Sequence, residues 1–164
     1  MPYALQPMLK IRVMREDKAQ TALTAAKRVR VEAERALDAR REDLREYERT
    51  RDDRRDAIFG AVMGRVVSME SLEVMQEGVA RIDEEGVLLR DNVSRAQDEV
   101  AEKTRLENDA HASYRQASKN KMKIEEHRAI WEAEDLKDRE YRAELELEDF
   151  TGRKKTDDDD DTFD

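Results

Sequence analysis

The sequence predicts an all-α protein, a long two-helix antiparallel coiled-coil hairpin whose second helix is the longer and ends in an acidic, disordered C-terminal tail. Three observations carry this reading. First, Leu72, Met75, Val79, Ile82, Leu89, Val93, Ala96, Val100, Ala110, Tyr114, Ala117, Ile124 and Trp131 recur three and four residues apart, with Gly86, Lys103, Glu107, Lys121 and Arg128 at the remaining positions. Thirteen of these eighteen positions are apolar, where the composition alone would give roughly seven, and an alternating three-four spacing is the stripe of a coiled coil. Second, an earlier stripe of the same period holds Leu9, Ala19, Leu23, Ala26, Ala33, Leu37, Leu44, Tyr47, Ile58 and Ala61. Third, both prolines, Pro2 and Pro7, lie in the first seven residues, so nothing downstream carries a ring that would break a helix.

The composition agrees. Charged residues make up 45% and aromatic residues 5% of the chain, which suits long helices and leaves no thick core. The same low hydropathy, with net charge −9, also fits a disordered chain, and it is the sustained heptads that argue for order. A helix the length of the second stripe reaches about 90 Å at ~1.5 Å per residue, more than a compact domain of this size could hold. Cysteine is absent, which excludes disulfides and thiolate chemistry. No apolar run approaches a membrane span and no export leader is evident, so an unexported, cytoplasmic protein is expected. An acidic balance disfavours nucleic acid and anionic lipid and points to protein partners.

In chain order, Met1 to Pro7 reads as an extended lead-in that leaves Tyr3 and Leu5 as apolar groups outside the main helix. Helix 1 is expected over about residues 8–62. Its stripe has smaller apolar residues and more gaps, at Arg12, Glu16, Arg30, Arg40, Arg51 and Arg54, so it reads as the weaker partner. The tip falls at about 63–68, inside a stretch holding Gly60 and Gly64, with Ser68 placed to cap a new helix and Glu70 in its first turn. Helix 2 follows over about 69–150. A fold-back at Val66 and Val67 sets Ile58 against Met75, Leu44 against Leu89, Leu37 against Ala96 and Leu9 against Ile124, with Tyr47 meeting Gly86, large against small. A shift by one heptad also matches the stripes. Thr151-Gly152 is expected to end the helix, and residues 151–164, with Asp157 to Asp161, form the acidic tail. Residues 1–150 are thus expected to make one hairpin domain.

Charge favours folding back over dimerising. Residues 1–65 carry sixteen basic and twelve acidic groups, net +4, whereas residues 66–150 carry thirteen and twenty-three, net −10. A basic helix beside an acidic one attracts, although each exposed pair contributes only about a few tenths of a kcal/mol. The expectation is a monomer when free.

Nothing in the sequence assembles a catalytic or cofactor site. His111 and His127 are the only histidines, there is no Gly-rich phosphate loop, and the aspartate run lacks the spacing of a calcium loop. The expected function is therefore binding, not enzymatic, with no cofactor and no metal. Two surfaces stand out. Helix 2 outruns helix 1, leaving Trp131 near the end of the paired region, either packed or free as an anchor, with Tyr3 and Leu5 able to cover it. At the tip, Val67, Met69 and Val74, with Met63, Val66 and Met75, offer more apolar surface than a two-helix turn can bury.

Tyr3-Ala-Leu5-Gln-Pro7-Met-Leu9-Lys-Ile11-Arg12 and His127-Arg-Ala-Ile-Trp131-Glu resemble the lead-in and late second helix of a known family, the coiled-coil stalk proteins of bacterial type III export machines. These are the YscO/SctO class of injectisomes, with FliJ as the flagellar relative. The resemblance covers roughly residues 3–150. It implies a cytoplasmic hairpin, peripheral to the secretion apparatus at the inner membrane, that binds the hexameric export ATPase, contacts the export-gate protein and handles secretion chaperones. Asp157 to Asp161 depart from the basic ending of many relatives. Two rivals remain: a scaffolding coiled coil that dimerises without an ATPase partner, and an escort adaptor for chaperones.

Overall fold

In the computed structural model, which describes residues 3–157, two helices account for nearly all of the chain and no strand occurs among the described residues. Helix α1 spans Gln6–Gly60 and helix α2 spans Met69–Asp157. α1 starts slightly before the expected position because the lead-in is already a turn. The Gln6 amide donates to the Tyr3 carbonyl at 3.2 Å and the Leu9 amide to that of Leu5 at 3.0 Å. Pro7 fits this first turn, where its missing N–H has no intrahelical partner to lose.

α1 stops at Gly60. The amides of Val62 and Met63 both return to the Phe59 carbonyl at 3.0 Å, and Gly64 takes φ 72°, the left-handed conformation that a residue with a side chain rarely adopts. Ser68 caps α2 as the sequence suggested, its Oγ accepting the Ser71 amide at 3.2 Å, and Glu70 lies in the first turn.

The expected helix stop at Thr151-Gly152 is not where α2 ends. The helix runs on to Asp157, because a single glycine costs a helix only about 1 kcal/mol and Arg153, Lys154 and Lys155 are good helix formers. The rest of the aspartate run, through Asp161, and the chain end lie outside the described residues.

Packing divides the chain into two units, one of Met1–Ala19 with Tyr114–Asp164 and the other Gln20–Ser113. Each pairs a stretch of α1 with a stretch of α2. Within the second unit Arg30 faces Glu107, Tyr47 faces Ile82 and Arg54 faces Glu85, so partners on α2 fall in number as those on α1 rise: the helices are antiparallel. In the first unit Tyr3 meets Trp131 and Glu16 meets Lys121, again antiparallel.

All eighteen positions of the α2 stripe, charged ones included, are buried or half-buried. On α1 the stripe holds except at Arg40 and Arg54, which are exposed, as is Ala61 just past the helix end. Leu9, Leu23, Ala33, Leu37 and Tyr47 of the first stripe and Ile82 of the second are buried, at 4–8% exposure.

The large-against-small expectation at Tyr47 and Gly86 is met. A Cβ placed on Gly86 would lie 2.4 Å from the Tyr47 hydroxyl oxygen, and that hydroxyl donates to the Ile82 carbonyl at 2.7 Å. Arg30, a gap in the apolar pattern, has its Nε on Glu107 at 2.5 Å, with Glu34 beside it. Arg54 and Arg55 reach Glu85 and Asp83 at 2.6 and 3.2 Å. In these three cross-helix pairs the base is on α1 and the acid on α2, following the charge asymmetry of the sequence.

Candidate partner-binding surfaces

The first surface belongs to the unit holding both ends of the described chain. Because the chain is not yet helical at Tyr3, the side chain can turn onto α2. Tyr3 is buried, its ring centroid 5.5 Å from that of Trp131 and 5.8 Å from that of His127. Its hydroxyl lies 2.9 Å from His127 Nδ1 and 3.4 Å from the Ile124 carbonyl. A hydroxyl has one proton, so both contacts are satisfied together when Nδ1–H donates to the hydroxyl and the hydroxyl donates to the carbonyl. Leu5 and Trp131 are half-buried. Tyr3 therefore covers Trp131, as the sequence allowed, and His127, for which no role was expected, holds the cover.

A polar pair braces this cluster. Lys121 Nζ lies 2.8 Å from Glu16 and 3.7 Å from Glu125. Hydrogen bonds from Lys121 and Ser118 hold the Glu16 carboxyl below its ordinary pKa, and the bond to Glu16 raises that of Lys121. Past Trp131 the stripe turns polar and nearly every residue to Asp149 is exposed, including Leu136, Tyr141 and Leu147. Here α2 is supported by pairs along itself, Arg128 with Glu132 and Arg139 with Asp135.

The second surface is the tip of the other unit. A groove of about 860 Å³ is lined by Ile58, Val62, Val66, Val67, Val74 and Met75 among others. Val67 is half-buried in its wall, Val74 is 63% exposed and Met69, outside the lining, is 75% exposed. Among the described residues the most exposed apolar one is Val66, at full exposure, which the sequence places both at the fold-back point and in the apolar surplus of the tip. A turn has no period, so the pattern could not say which of two adjacent valines faces out. The three expected tip residues thus share one end of this unit, and Tyr3, Leu5 and Trp131 share the other unit.

Among the described residues no group of three or more His, Cys, Asp or Glu is placed to hold a metal, and no helix is long and apolar enough to cross a membrane. Comparison with known proteins finds that the family described as Type III secretion protein YscO matches residues 5–153. No curated protein and no solved structure matches the chain.

Proposed function

The chain belongs to the YscO family of type III secretion proteins, and from that premise we propose that it is the non-enzymatic central stalk of the export machine. In this reading it binds the hexameric export ATPase with one surface, contacts the export gate with the other, handles secretion chaperones, and works in the cytoplasm at the inner membrane. The observation that carries the ATPase contact is the stretch after Trp131. Residues 132–150 hold nine acidic and three basic groups, net −6, on a helix exposed through residue 149 except at Asp135. A basic pore lining would attract such a helix, and salt would weaken the attraction. Trp131, half-buried under Tyr3, supplies the apolar anchor, and Val67, Met69 and Val74 supply the gate contact. A stiff hairpin seated off-centre in a ring touches its subunits unequally and so couples their nucleotide states.

The test is stimulation of the purified ATPase by the intact protein, by a version ending at Lys121 and by Trp131→Ala, each at low and high salt. Truncation should abolish stimulation, and Trp131→Ala should weaken it by about 1–3 kcal/mol. Full stimulation by the shortened protein would move the contact to the paired region or the tip.

A further inference from the structure

We propose that the groove at the tip is a self-association surface whose occupant is the tip of a second copy of this chain. The groove is open, and Val66 stands fully exposed on its edge with Met63 and Met69 three-quarters exposed nearby. A surface carrying an apolar knob beside an apolar hole is complementary to itself under a two-fold axis, since each copy offers the knob that the other's hole lacks.

The charges point the same way. Arg65 and Glu70 both line the groove, and among the described residues neither side chain has an ion-pair partner. Most of the chain's arginines are paired along or across the helices, as Arg81 is with Glu77 on the same groove. One unpaired base and one unpaired acid on a single patch form two reciprocal pairs when the patch meets its own copy: Arg65 to the partner's Glu70, and the reverse. A strongly acidic or strongly basic partner would satisfy one and repel the other.

The surface is small. Thirteen residues between Ala57 and Arg81 line the groove, fewer than the roughly 20 to 30 a side of a standard interface. The association is therefore weak, and the protein is a monomer when dilute and a dimer when concentrated. A copy seated here covers Val67 and Val74, so self-association and the gate contact proposed above exclude each other.

Sedimentation equilibrium of the purified full chain tests this without any gate protein, so its outcome is separate from that of the stalk reading. The mean mass should climb from monomer towards dimer between about 10 μM and about 1 mM. Val66→Asp should hold it at monomer throughout. Arg65→Glu should do the same, and Arg65→Glu combined with Glu70→Arg should restore the climb, since both reciprocal pairs are then reversed. Circular dichroism of each variant reports whether the helices survive. A wild type that stays monomeric to the highest concentration overturns the proposal and leaves the groove to a different partner. So does association that persists in Val66→Asp, or a folded double variant that fails to dimerise.

Discussion

The two concentrations of large apolar side chains in this protein are treated in opposite ways. Around Trp131 the chain supplies its own cover, because residues 3–5 precede the helix and Tyr3 turns across α2 onto His127 and Trp131. At the tip, residues 61–68 are used up in crossing from one helix to the next, and nothing remains to fold over Val66, Met63 and Met69. The difference teaches that apolar content does not by itself make a contact surface. A cluster becomes one where local chain geometry leaves no segment to close it, and the tip meets that condition more fully than the Trp131 end.

Substitutions can break this contrast. The largest effect should come from the best-enclosed aromatic: Tyr47, 4% exposed, should cost about 3–5 kcal/mol as Tyr47→Ala in urea or thermal unfolding. Gly86→Ala should destabilise the wild type, since Tyr47 must leave its bond to Ile82. In the Tyr47→Ala background the same change should gain about 1 kcal/mol, from helix propensity alone.

Removing the cover comes next. Tyr3→Ala should cost about 2–3 kcal/mol, less than at Tyr47 because Tyr3 lies outside the helix and is less deeply buried. Its sharper signature is spectroscopic. Trp131 is the single tryptophan, so its fluorescence should shift to the red in Tyr3→Ala and stay fixed in Val66→Ser.

Acid should loosen the covered unit by a smaller amount. Glu16 has a lowered pKa, so the stability it contributes is complete above about pH 4.5 and is lost as pH falls through its folded value. Lys121 has a raised pKa, and its contribution is complete below about pH 10.5 and is lost as pH rises beyond it. Between pH 7 and pH 3 the melting temperature should therefore fall further in the wild type than in Glu16→Gln. Equal slopes would show that the pair contributes nothing.

The smallest change in stability is expected at the tip. Replacing Val67, Met69 and Val74 together by Ser should alter unfolding by about 1 kcal/mol or less, because two of the three are exposed. Secretion should nevertheless fall at normal protein levels. Unaffected export would reduce the tip to a turn.

Much of this was legible in the sequence, and the parts that were not have separate physical causes. The α2 stripe could be read because burial of apolar groups imposes a period, and every position so identified is at least half-buried. Tyr47 against Gly86 could be read because volume must be conserved across a seam. Arg30 with Glu107 and Glu16 with Lys121 could not, since an apolarity pattern scores a charged residue as a gap whether or not it finds a partner. The orientation of Val66 was hidden for want of a period in the turn. The end of α2 lies past the expected stop because Gly152 is only a modest penalty to a helix.

The Tyr47 and Gly86 fit has a mechanical consequence. Sliding α1 by one heptad along α2 would bring Tyr47 over Val79 or Val93, whose branched side chains fill the space that Gly86 leaves empty. Arg30 would lose Glu107 in the same step. The joint thus resists shear in either direction, and a push or pull delivered to one helix of this unit is handed to the other at Tyr47 before it can become slippage. Gly86→Ala, by forcing Tyr47 out of its socket, would turn that latch into a sliding bearing.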